Sequence, residues 1–128
     1  NRSSDLITPW FHNWAFNRLE DEIKPHWDLI PGGVDVLITH GPPRGILDLT
    51  TYDKLNVGCP VLLKKVKQIK PRVHVFGHIH EGRGTEEIDG TIYINASVVD
   101  LKYNLYPDVQ FSFRLDPTEP TDSTLSST

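Results

Sequence analysis

Two short apolar runs rich in β-branched residues bracket one amphipathic helix, and this arrangement leaves the chain few ways to fold. The runs are Val34-Asp35-Val36-Leu37-Ile38 and Val73-His74-Val75-Phe76. Between them, Pro60 to Lys70 places Val61, Leu62, Val66 and Ile69 on one helical face and Lys64, Lys65, Lys67 and Gln68 on the other, a solvated face, and Pro71 stops it. Strand, helix and strand in that order make a βαβ unit, with parallel strands and a right-handed crossover. The first run has almost no polar alternation, so it reads as a strand buried on both faces in a sheet covered by helices. The expected class is α/β.

The flanking segments are less regular. Residues 1–17 carry Trp10, Phe11, Trp14 and Phe16 without periodicity and read as a loop covering something apolar. Residues 18–29 have a short helical pattern, with Pro25 expected in the first turn of a helix running to Leu29. Pro31-Gly32-Gly33 is a turn, and residues 41–58 are a Gly/Pro-rich connection. Thr91 to Val99 reads as a third strand. From Asp108 to Leu115, Val109, Phe111, Phe113 and Leu115 alternate with Gln110, Ser112 and Arg114, predicting a half-exposed antiparallel strand at the sheet margin. Residues 116–128, rich in Thr, Ser, Pro and Asp, read as a disordered polar tail.

Bulk composition narrows the function classes. The 128 residues amount to about one domain, 38% apolar and 23% charged. A net charge of −4 gives no general attraction to nucleic acid or anionic membrane. No apolar stretch approaches the roughly 20 residues that span a bilayer. The single cysteine, Cys59, reads as a small apolar residue near a helix start; it leaves no internal disulfide and points to a cytoplasmic setting. Lacking any methionine, the chain reads as a piece of a longer product.

The chemistry falls at the ends of the two strands. His40 follows the first in Thr39-His40-Gly41-Pro42-Pro43, and His78 and His80 follow the second in Gly77-His78-Ile79-His80-Glu81-Gly82. Ligands of α/β proteins bind outside the carboxyl ends of parallel strands, and imidazole is the commonest metal ligand. Adjacent strands about 5 Å apart bring these histidines to one edge of the sheet. A bend after Gly77 would let His78 and His80 splay towards two different ions. His74 lies inside the strand and reads as a packed or surface imidazole, while His12 and His26 read as solvated. Glu81 is either an acceptor orienting a histidine or a solvated loop carboxylate. Arg44 and Arg83, in the neighbouring loops, are either phosphate contacts or exposed loop arginines. Asn95 is expected to satisfy backbone groups.

Three segments carry a family resemblance: Leu37 to Pro43, Val75 to Gly82, and Tyr93-Ile94-Asn95-Ala96-Ser97. Together with Thr8-Pro9-Trp10-Phe11 and Trp27 to Pro31, they resemble the late conserved blocks of calcineurin-like metallophosphoesterases, closest to the metallophosphoesterase-domain proteins grouped with class III cyclic-nucleotide phosphodiesterases. The resemblance implies that residues 1–115 are the carboxyl-terminal part of an α/β/β/α sandwich, a βαβ unit followed by antiparallel strands. It implies His40 and His78 on one metal and His80 on the other, with two ions (manganese, iron or zinc) in the complete domain. A metal-bound hydroxide would attack a phosphoester small molecule, such as a cyclic nucleotide. The family's Asp-x-His, Gly-Asp-x-x-Asp and Gly-Asn-His blocks, the last with the general acid, do not occur in this sequence. The chain by itself is therefore expected to bind metal weakly and to be inactive. The alternative is a truncated or degenerate non-catalytic domain that binds metal or a partner.

Overall fold

The computed structural model describes residues 8–9, 17–18, 20–108 and 110–116. A parallel pair, β1 (Thr8–Pro9) and β2 (Asn17–Arg18), precedes helix α1 (Glu20–Asp28). Then come β3 (Val36–Ile38), helix α2 (Pro60–Ile69), β4 (Val73–Phe76), a 3-10 turn at His80–Gly82, β5 (Gly84–Ile88) and β6 (Thr91–Asn95). The main sheet runs β3-β4-β6-β5, parallel except for the antiparallel β5–β6 pair. The expected α/β class and the βαβ unit are present. The aromatics at 10–16, His12 and the tail at 117–128 lie outside the described residues.

Helix α2 begins and ends for identifiable reasons. Pro60 needs no N–H partner in the first turn. Cys59 caps the helix: its Sγ accepts the Leu62 N–H at 3.4 Å and the Trp27 indole N–H at 3.3 Å. Cys59 is thus a cap and a link to α1, beyond the small apolar residue expected. At the other end Lys70 turns left-handed at φ 47° and its N–H closes on the Val66 carbonyl at 2.8 Å. Leu62 and Val66 face the core while Lys64, Lys67 and Gln68 stay exposed. Fully burying a side chain of this size contributes about 1.5–3 kcal/mol.

Several expectations need correction. Pro25 lies inside α1, where it removes a ladder bond. The helix persists because Ile23 and Trp27 are wholly buried in the core. β3 is not covered on both faces: Leu37 is buried, but Ile38 is 49% exposed. The third strand stops at Asn95, because the Asn95 side chain takes the Ser97 N–H at 3.2 Å and turns the chain out of the ladder. Before it stands an unanticipated partner, β5, joined by the two-residue turn Asp89-Gly90 with φ 51° and 82°.

Residues 110–116 form no strand. Phe113 and Leu115 are 42% and 38% exposed, and Val109 lies outside the described residues. Carbonyls at both ends of this segment are held by arginines instead of a sheet edge. Arg83 donates to Asp108, and Arg72 Nη1 donates to Asp116 at 2.6 Å.

The 44–58 connection is organised by one buried carboxylate. Asp48, 1% exposed, accepts from the N–H groups of Gly45 and Gly58, each at 2.8 Å, and from Asn56 Nδ2 at 2.6 Å. A methyl on Gly58 would overlap the Pro43 carbonyl, so the loop can close only on a glycine. Among the described residues, no helix is long and apolar enough to cross a membrane.

Candidate metal centre

The parallel ladder continues past both strands, and this positions the histidines. Thr39 N–H donates to the Val75 carbonyl at 3.0 Å, and Gly77 N–H to the His40 carbonyl at 2.9 Å. His40 and the residue after Gly77 therefore emerge side by side. The His40 and His78 rings stand 4.7 Å apart at 45°. His78 sits at φ 70°, a left-handed conformation that costs about 1–2 kcal/mol in a residue with a side chain. Such local strain is characteristic of functional sites, and it aims this ring at His40.

Burial holds both rings towards the neutral form. Desolvation lowers the pKa of His40, and it lowers that of His78 to about 4, reinforced by the neighbouring His40 and His80. Neutral imidazole is the form that ligates metals.

His80 is set apart from this pair by contacts from the distant 100–106 segment. Its Nδ1 lies 3.3 Å from the Asp100 carbonyl. A carbonyl only accepts, so Nδ1 is the donor and Nε2 carries the lone pair when the ring is neutral. Metal-binding histidines are commonly oriented in this way, through a backbone carbonyl on the second nitrogen. Tyr106 Oη donates to the His80 carbonyl at 3.0 Å, and the Tyr103 ring meets the imidazole edge-on at 5.7 Å. Sequence inspection passed over Asp100, Tyr103 and Tyr106. The available signal was Asp100 followed by Asn104, which forms an Asx-type turn: Asp100 Oδ1 accepts from the N–H groups of Lys102 and Asn104 at 2.7 and 3.0 Å.

The turn between the histidines is fastened by Asn95, which is wholly buried. Its Nδ2 donates to the carbonyls of Ile79 at 2.8 Å and Leu47 at 3.0 Å. Its Oδ1 accepts from Ser97 N–H and, at 2.8 Å, from Ser97 Oγ. This matches the role expected for it. Gly82 closes the turn against the same group: a methyl there would overlap the Leu47 carbonyl and press on Asn95 Nδ2.

Of the two readings open for His74, packed or surface-facing, the structure shows the packed one: it is 0% exposed, with its pKa lowered to about 3 by burial. Thr39 Oγ1 donates to the Gly41 carbonyl at 2.7 Å, so it must accept from His74 Nε2 at 2.9 Å. That leaves His74 Nδ1 buried without a partner.

Among the described residues Glu81 orients no histidine; its Oε2 accepts the Thr51 N–H at 3.2 Å and fastens the 48–56 loop to the 3-10 turn. The Arg83 guanidinium donates to the carbonyls of Ser97 and Asp108 and lies 4.9 and 4.3 Å from the Tyr106 and Phe111 ring centroids. Arg44 is exposed and lines a cavity of about 310 Å³ with Lys67, Lys70 and Tyr93, which none of the three histidines borders. Among the described residues, no three His, Cys, Asp or Glu side chains converge so as to hold an ion. The imidazoles present a His40–His78 pair held towards the neutral form and a separately oriented third ring, and a divalent ion there would need further donors.

Sequence comparison supplies the context. Over 97 residues the chain is 50% identical to metallophosphoesterase domain-containing protein 1 of Homo sapiens, covering 74% of this chain and 30% of that protein. The chain belongs to the metallophosphoesterase family. The Mus musculus protein of the same name matches equally, and a UPF0046 protein of Caenorhabditis elegans is 43% identical over 103 residues, 77% of this chain and 26% of that protein. The chain thus spans under a third of the length of these relatives. No family model matches it. A solved crystal structure superposes with a TM-score of 0.52 at 25% identity, over 76% of this chain and 38% of that one.

Proposed function

We propose that this chain supplies the late histidine ligands of a metal-dependent phosphoesterase that hydrolyses a phosphodiester, a cyclic nucleotide being the representative substrate. The observation that carries the proposal is the His40–His78 pair at 4.7 Å beyond two parallel strands, in a sequence of this family. His40 and His78 would hold one ion and His80, through Nε2, another; manganese, iron or zinc suits such donors once carboxylates complete the set. Bound ions supply Lewis acidity at the phosphoryl oxygens and an activated water. The chain's own residues hold His40 and His78 towards the neutral form by burial, orient the His80 ring through Asp100, and hold the turn between His78 and His80 through Asn95.

The three imidazoles bring no negative charge to offset two divalent cations. That favours a second reading for the isolated chain, a non-catalytic module that binds one ion weakly or engages a partner.

The test is hydrolysis of bis(p-nitrophenyl) phosphate in manganese by the full-length product and by His80→Ala. Turnover should fall by orders of magnitude in the variant. Equal turnover in the two proteins refutes the assignment of His80 as a ligand.

A further inference from the structure

We propose that a small aliphatic carboxylate binds in the groove between α2 and the β5–β6 hairpin, a site independent of the histidines. The groove encloses about 310 Å³, at the small end of the range for small-molecule sites. Helix α2 lines it with Leu63, Val66, Lys67 and Lys70, whose spacing puts them on one stripe. Ile88, Asp89, Thr91 and Tyr93 of the hairpin line it from the sheet, and Arg44 and Ile46 from the loop before α2. Helix α1 packs against α2, and among the described residues no third α-helix covers the hairpin side.

The lining divides by chemistry. Ile46, Val66 and Tyr93 are buried, while Leu63 and Ile88 are half-buried. They form an apolar base that favours a hydrocarbon body over water. Arg44, Lys67 and Lys70 are exposed, with long stems that let their charged ends reach over the rim. Among the described residues none of these three cations enters an ion pair; the pair formed there is Lys24 with Asp28. Three cations face one carboxylate, Asp89, so the groove is positive in a chain whose net charge is −4. Like charges gathered around one concavity repel, and an anion seated among them removes that repulsion. The Thr91 hydroxyl is already engaged, donating to the Pro71 carbonyl at 2.7 Å, so recognition of a polar head falls to the cations. The Arg44 guanidinium presents a planar fork of donors that matches a carboxylate, with Lys67 and Lys70 as further point charges. An aliphatic tail on the base with its carboxylate at the rim satisfies both parts of the lining.

The experiment uses the full-length protein, isotopically labelled at isoleucine, leucine and valine methyls and titrated by NMR with octanoate and, as the uncharged control, octanol. Octanoate should shift the methyl resonances of Ile46, Leu63, Val66 and Ile88 along one saturable curve. It should bind about ten-fold more tightly than octanol, the scale of one charge-assisted hydrogen bond, and lose that advantage in high salt. Arg44→Gln combined with Lys67→Gln changes two exposed side chains; it should erase the advantage and leave the octanol curve intact. An undiminished advantage in that variant overturns the proposal, as does equal binding of the two probes by the wild type. Loss of both probes in the variant overturns it too, since the cations would then shape the groove without reading a charge. Octanoate that moves histidine resonances but none of the four methyls overturns it by placing the carboxylate at the metal centre.

Discussion

Replacing Asn95 with leucine tests the fastening of the histidine turn and has a magnitude that follows from its contacts. The side chain is wholly buried and makes four hydrogen bonds, with Ile79 O, Leu47 O, Ser97 N–H and Ser97 Oγ. Leucine keeps the branched shape but is bulkier, so any overpacking adds to the cost of the four stranded partners. Ser97 is 7% exposed, so its N–H loses its partner with little access to water, at about 1–3 kcal/mol. The Ile79 and Leu47 carbonyls are half-buried and regain water in part, at about 1 kcal/mol each. The Ser97 hydroxyl can rotate and contributes least. The sum is about 4 kcal/mol, a large share of the 5–15 kcal/mol typical of a domain. Urea unfolding at pH 7.5, followed by tryptophan fluorescence, measures it, since Trp27 is wholly buried in the core. Ile79 lies between His78 and His80, so the variant should also bind zinc more weakly. A midpoint within about 1 kcal/mol of the wild type, with unchanged zinc affinity, would refute the role assigned to Asn95.

Two further outcomes are expected. His74 is neutral in the fold, with its pKa lowered to about 3 from 6.5, so the unfolded chain binds the extra proton as the pH falls. Its contribution is fully present above about pH 6.5 and is lost progressively down to about pH 3; between pH 7 and pH 5 it removes about 2 kcal/mol of stability. Denaturation midpoints at the two pH values should show this loss, reduced in His74→Leu, and an identical pH dependence in that variant would contradict it. Gly82→Ala should cost about 1–3 kcal/mol, because the methyl meets backbone at Leu47, whereas Gly32→Ala, with open space around it, should be near neutral in the same thermal melt; equal melting temperatures would refute the close approach.

Much of the central layout was legible because it depends on patterns that act locally. β-branched runs and a proline-bounded amphipathic helix specify the βαβ unit, and parallel register then carries His40 to His78 without further information. β5 escaped notice because Thr85, Glu86 and Glu87 are exposed and show no apolar alternation. Its Asp89-Gly90 turn was the usable signal. The clean alternation at 108–115 misled, since alternation expresses a preference that arginine contacts to Asp108 and Asp116 override. The orientation of His80 was unreadable for another reason: the groups that set it, Asp100 and Tyr106, lie 20 and 26 residues away. No periodicity connects residues at that separation.

The most direct test of the paired imidazoles is a zinc titration of this chain at pH 7.5, followed through the histidine ring resonances by NMR. The resonances of His40 and His78 should shift together along one binding curve. Either His40→Ala or His78→Ala should abolish that curve for the ring that remains, and the double variant should lose no more zinc affinity than each single one. Separate curves for the two rings, or a His78 response untouched by His40→Ala, would mean that they share no ion.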